Sequence, residues 1–130
     1  MTHLEILEKK AAMRLLIVDD SEIVRERLKT MLSEVPMMET IGQAKDQKEA
    51  IELVGKLNPD VVIVDIQMPG GSGINLLREV KKRKKPPQLI VLTNQSYPQY
   101  RRKCMEAGAN FFFDKSTEFD KVAEVLRRLI

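Results

Sequence analysis

The chain carries a single cysteine, Cys104, in 130 residues. That scarcity excludes an internal disulfide and the usual cysteine zinc sites, and a lone thiol suits a reducing compartment, where it serves as a small buried apolar residue. Nowhere do about 18 apolar residues run together, as a membrane-spanning helix requires. Met1 to Met13 also lacks the apolar stretch of a secretory leader. A soluble cytoplasmic protein with no membrane partner is therefore expected. One-sided charge is missing as well: 22 Lys and Arg against 19 Asp and Glu leave +3, with opposite signs interspersed along the helical stretches. This gives little support for direct nucleic-acid binding. At 130 residues a second domain has no room, while one domain has enough chain for a hydrophobic core. A hydrophobic content of 43% and a charged content of 32% argue against disorder.

What is present centres on Pro59–Gly70. Val61 to Val64 is an unbroken β-branched run without alternation, which predicts a strand buried on both faces at the centre of a parallel sheet. The strand ends in Asp65. Met68-Pro69-Gly70-Gly71 cannot extend it, because proline lacks a donor and glycine favours turns. Asp65 is thereby placed at a carboxyl end, where open α/β sheets bind their ligands.

The remaining chain repeats the theme. Leu4, Leu7 and Ala11 have helical spacing, but residues 1–12 are too short for an independent helix and are read as an extension preceding a domain over 13–130. Arg14 to Val18 predicts a second apolar strand, ending in Asp19-Asp20. Ser21 can cap a helix whose stripe is Val24, Leu28, Met31 and Leu32. Glu39–Ala44 is a polar edge-strand candidate. Asp46 and Glu49 form a capping-box pattern before a helix running to about Leu57. Ser72 precedes a helix with Ile74, Leu77 and Val80 inward, which trails into five basic residues, Lys81 to Lys85. That block resembles a nucleic-acid or membrane patch, but a solvated helix end complementing the dipole explains it and is the reading adopted. Gln88–Thr93 is a fourth strand. Pro98 opens a helix with Tyr100, Cys104 and Ala107 inward, and Gly108 stops it. Phe111–Asp114 is a fifth strand, followed by Lys115. The last helix is expected to start near Ser116 or Thr117 and to bury Phe119, Val122, Ala123, Leu126 and Leu129. Strict strand–helix alternation predicts an α/β fold, a doubly wound five-stranded parallel sheet with right-handed crossovers and helices on both faces.

Parallel strands bring their carboxyl ends to one rim, so Asp19, Asp20, Asp65, Thr93 and Lys115 converge. Clustered carboxylates repel unless a cation intervenes, and hard oxygen ligands suit Mg²⁺, which retains waters and accepts a phosphate oxygen. An oxygen nucleophile, a metal site, a lysine and a hydroxyl are what phosphoryl transfer needs. Singly, each residue has a plainer explanation as a cap, a β-former or a surface lysine. Their coincidence on one rim carries the argument.

On these motifs (Asp19-Asp20, Asp65 with Met68-Pro69 and Gly73, Thr93, Lys115) residues 13–130 resemble the receiver domains of two-component response regulators. The resemblance implies the flavodoxin-like strand order 2-1-3-4-5. It implies Asp65 as acceptor of a phosphoryl group from a histidine kinase or histidine phosphotransfer protein. Mg²⁺ would be held by Asp20, Asp65 and the backbone carbonyl of Gln67, with Asp19 acting mainly through water. The resemblance further implies a switch in which Thr93 moves toward the phosphoryl group and Phe112, three positions before Lys115, turns inward. This would reshape the Tyr97–Arg102 face for a downstream protein target. Homodimers in the family often use the fourth and fifth helices.

Four departures stand out. Asn94 occupies a position that is usually very small, where it can narrow access to Asp65 or tune dephosphorylation. Gln67 and Gln95 take the two positions that influence how water reaches the acyl phosphate. Phe112 lacks the hydroxyl of the commoner tyrosine. Ser116 replaces a proline that is often cis, so a trans bond is expected there, since a cis non-proline bond costs about 3–4 kcal/mol. The reading is a standalone phosphoaspartate switch, better described as an autocatalytic substrate than an enzyme. Its rivals are a receiver belonging to a longer, for example DNA-binding, regulator and a phosphorylation-independent adaptor. An aspartyl phosphatase is disfavoured because no acid lies two residues after Asp65.

Overall fold

The computed structural model describes residues 12–69 and 72–130. The expected helical spacing at Leu4, Leu7 and Ala11, and the Gly70-Gly71 turn, lie outside the described residues. Among the described residues five strands and five helices alternate: β1 (Met13–Val18), α1 (Glu22–Leu32), β2 (Met38–Ala44), α2 (Gln47–Leu57), β3 (Val61–Val64), α3 (Gly73–Lys81), β4 (Gln88–Thr93), α4 (Pro98–Glu106), β5 (Phe111–Asp114) and α5 (Lys121–Leu129). The strands form one sheet in the order β2-β1-β3-β4-β5, and every pairing is parallel. Among the described residues no helix is long and apolar enough to cross a membrane.

Side-chain alternation divides the core between the two faces of the sheet. Leu16, Val18, Val62, Val64 and Val91 point to one face and are covered by Ala50 and Val54 of α2, Leu76, Leu77 and Val80 of α3, and Cys104 of α4. Leu15, Ile17, Val61, Ile63 and Ile90 point to the other, against Leu28 and Leu32 of α1 and Val122 and Leu126 of α5. All four β3 residues are buried, as their unbroken apolar run required, and each contributes about 1.5–3 kcal/mol of hydrophobic stabilisation. The same parity splits the phenylalanine run. Phe112 faces α4, while Phe111 and Phe113 pack on the α1/α5 side with their rings stacked 6.3 Å apart.

Local chemistry sets the helix starts. The Ser21 hydroxyl accepts from the Val24 N–H at 3.2 Å, the Asp46 carboxylate from Glu49 N–H at 2.8 Å, and the Ser72 hydroxyl from Ile74 N–H at 3.2 Å. The last helix departs from expectation, starting at Lys121 and not near Ser116 or Thr117. The Asp114 carboxylate accepts from both Ser116 and Thr117 N–H at 2.8 and 2.9 Å, and this Asx-type turn takes the place of a first helical turn. Every described peptide bond is trans, Lys115–Ser116 included.

Three of the five basic residues from Lys81 to Lys85 have partners within the fold. Lys81 Nζ donates to Asn110 Oδ1 at 2.9 Å, Lys82 pairs with Glu79 at 3.1 Å, and Arg83 donates to Asn58 Oδ1 at 2.9 Å. Cys104 is fully buried.

Candidate functional site

The sheet reverses its direction of winding between β1 and β3: from β1 the chain moves outward to β2, then crosses back to β3 on the other side. Ligand crevices in open α/β sheets form at such reversals. Val18 and Val64 are paired in register, so Asp19 and Asp65 emerge side by side. The Asp65 N–H continues the ladder onto the Val18 carbonyl at 2.9 Å. Lys115 follows the edge strand, and its own N–H donates to the Thr93 carbonyl at 2.9 Å.

From there the lysine side chain reaches past β4 into the crevice. Its Nζ donates to Asp19 Oδ2 at 2.8 Å and to Asp65 Oδ2 at 2.7 Å. The other oxygen of each aspartate is held by backbone: Asp19 Oδ1 accepts from Ser21 N–H at 2.8 Å, and Asp65 Oδ1 from Gln67 N–H at 2.9 Å. Asp19 and Asp65 are 2% and 4% exposed, so this pairing sits in a weakly screened environment. Burial pushes the Asp19 carboxyl above its ordinary value, against the opposing pull of Lys115 and the Ser21 N–H. Burial alone would lower the Lys115 ammonium, but its hydrogen bonds to Asp19 and Asp65 outweigh that and hold it above the ordinary value.

Asp20 is exposed and faces an open cleft of about 570 Å³, shared with Asp65, Gln67, Pro69, Asn94 and Lys115. Carboxylate oxygens of Asp19, Asp20 and Asp65 all lie within 4.8 Å of one another. Three carboxylates against one ammonium leave two formal negative charges, and the donors are hard oxygens reached from an open cleft. The residues therefore fit a hard divalent cation that keeps part of its water.

The expected residues are distributed as follows. Lys115 contacts Asp19 and Asp65 directly, and Asp20 has a carboxylate oxygen within 4.8 Å of theirs. Gln67 and Asn94 line the cleft, whereas Thr93 is fully buried behind it and its hydroxyl accepts from the Gln95 N–H at 3.2 Å. Gln95 is not among the lining residues. Phe112 is 4% exposed, already inward against the α4 side, and its carbonyl accepts from Arg101 Nη1 at 3.4 Å.

Sequence reasoning missed Arg25. From α1 its Nη1 donates to the Asp19 carbonyl at 2.7 Å and its Nε to Gln43 Oε1 at 3.1 Å, fixing the turn that carries both aspartates. No local signal marks it, because an arginine on an amphipathic helix reads as solvated.

The uncharacterized transcriptional regulatory protein YvfU of Bacillus subtilis is 35% identical over 117 residues, 90% of this chain and 58% of that protein. A protein-glutamate methylesterase/protein-glutamine glutaminase of Alkalilimnicola ehrlichii is 38% identical over 104 residues, 78% of this chain and 26% of that protein. The chain thus spans little more than half of the first relative and about a quarter of the second. Among solved structures, the response regulator domain of Thermotoga maritima CheB superposes with a TM-score of 0.78 at 33% identity, covering 91% of this chain and 92% of that one. The response regulator receiver domain model matches residues 15–127, from within β1 to within α5, and the chain belongs to that family.

Proposed function

We propose that this domain is a phosphoaspartate switch with Asp65 as the acceptor. One observation carries the reading: Lys115 Nζ bridges Asp65 and Asp19 at the wall of a cleft that the exposed Asp20 also faces. An Asp65 oxygen attacks the phosphorus of a phosphohistidine on a histidine kinase or phosphotransfer protein. The new P–O bond forms as the P–N bond breaks, and the imidazole nitrogen keeps the electron pair and takes a proton from solvent. Attack of water on the same phosphorus later breaks that P–O bond and returns the carboxylate with inorganic phosphate. Asp20, Asp65 and the Gln67 carbonyl would hold Mg²⁺, with Asp19 acting mainly through water, and the ion would supply positive charge for the phosphoryl oxygens.

The phosphoryl group brings about −1.5 to −2 charges and three strong acceptors to the rim. Lys115 is already within hydrogen-bond reach of the accepting carboxylate and neutralises part of that charge. The Thr93 hydroxyl, turning from the Gln95 N–H, gives a second donor. That movement alters the space beside Phe112 and with it the Tyr97–Arg102 face offered to a downstream protein. Gln67 and Gln95 tune the approach of water.

Intact-mass spectrometry after incubation with Mg²⁺ and acetyl phosphate tests the reading. One labile phosphoryl adduct is expected on the parent and none on Asp65→Ala. No adduct across a range of times and Mg²⁺ concentrations makes a phosphorylation-independent adaptor the better account. A second reading, that this receiver governs a further domain, is favoured by the greater length of its relatives. The intact mass of the product expressed from its native locus separates it from a standalone switch.

A further inference from the structure

Asn94 and Ser116 are joined across the rim of the cleft, and the bond leaves one end of the asparagine amide uncommitted. The Ser116 hydroxyl donates to Asn94 Oδ1 at 3.1 Å, linking the loop after β4 to the loop after β5. Ser116 is itself fixed, since its N–H donates to Asp114 Oδ1 at 2.8 Å. A primary amide offers one acceptor oxygen and two N–H donors. Here the oxygen is occupied, and among the described residues no acceptor is hydrogen-bonded to Asn94 Nδ2. Asn94 lines the same cleft as Asp65 and Lys115.

We infer that the Asn94 side-chain amide is a phosphoryl-binding group, donating from Nδ2 to an oxygen of the group carried on Asp65, with Ser116 as the positioning residue that turns the amide nitrogen inward. This rests on the reading of Asp65 as the acceptor. The chemistry favours a donor role over a purely steric one. Each of the three phosphoryl oxygens accepts more than one hydrogen bond, so Lys115, Thr93 and a metal ion leave acceptor capacity, and an amide whose oxygen is engaged by Ser116 has its N–H donors free. Asn94 and Ser116 are both exposed, so replacing either removes a polar contact without opening the core.

The test is titration with beryllofluoride, an unreactive phosphoryl mimic, in the presence of Mg²⁺, read by NMR shifts of rim amides. Asn94→Ala and the similarly sized Asn94→Leu are both expected to weaken binding about ten-fold or more, the value of one hydrogen bond to a charged group. Ser116→Ala is expected to weaken it about two-fold. The double variant Asn94→Ala/Ser116→Ala should match Asn94→Ala alone, because Ser116 acts through the amide. The inference is overturned if Asn94→Ala binds as tightly as the parent or more tightly, which would make the residue a steric gate. It is equally overturned if the two single losses simply add. Should the parent bind no beryllofluoride and take no adduct from acetyl phosphate, the acceptor reading of Asp65 fails and this inference with it. A parent that is modified normally while the variants match it rejects the role of Asn94 alone.

Discussion

The ammonium of Lys115 joins two carboxylates that lie 96 and 50 residues away in the chain. Each of the two carboxylates is almost wholly buried, with side chains 3% and 4% exposed, so screening by water is weak. Removing one member of such a set leaves buried charge uncompensated, which costs about 3–5 kcal/mol. Lys115→Met is accordingly expected to lower stability at neutral pH by about 3 kcal/mol, measured by denaturant unfolding. The pH dependence has a definite sign. Lys115 titrates above its ordinary 10.5 in the folded state, so its stabilisation is complete below 10.5 and is lost as pH rises through the elevated value. The stability gap between parent and Lys115→Met should be constant near neutrality and close in strongly alkaline solution. A gap that persists there would place the loss in side-chain packing instead of charge.

At the scale of elements, the seat of α3 governs the site more directly than any cap. Gly73 begins that helix hard against the segment following Asp65: a Cβ added there would lie 2.3 Å from Ile66 Cα and 2.9 Å from its carbonyl carbon and oxygen. All three atoms are backbone, so no flexible side chain can yield, and the helix must shift. Gly73→Ala is expected to destabilise the domain by about 1–3 kcal/mol, as overpacking does. It should also slow adduct formation at Asp65, because Ile66 is the next residue. Thermal melts and acetyl phosphate kinetics read the two effects, and a variant with unchanged values for both would show that the segment gives way freely. The delayed start of α5 belongs to the same scale. Asp114 draws Ser116 and Thr117 into a turn, which places Ser116 over Asn94 and keeps Lys115 outside the helix.

For the whole molecule, the two cores on opposite faces of one sheet make opening a global event. Cys104 reports on it. Burial on the α4 side pushes its thiol up to about 11, so neither thiolate nor access is available in the folded state at neutral pH. A disulfide reagent at pH 8 is expected to leave the native protein unlabelled over minutes and to label it fully in denaturant. Labelling at intermediate denaturant should follow the unfolding curve. Rapid native labelling would instead reveal local release of α4.

The sequence by itself determined the alternation of elements, the burial of β3 and the gathering of Asp19, Asp20, Asp65, Thr93 and Lys115 at one rim. These follow from short-range causes: an apolar run of four residues, a proline after a carboxylate, and the common direction of parallel strands. Only the tertiary structure decided which of two adjacent aspartates is buried with Lys115 and which faces the cleft, that Thr93 lies behind the cleft wall, and that Arg25 braces the Asp19 turn. It also decided that α5 begins at Lys121, and that Asn94 and Ser116 meet. Propensity and periodicity act over a few neighbouring residues, whereas burial, charge pairing and side-chain hydrogen bonds depend on groups that the register of the sheet brings together from distant parts of the chain.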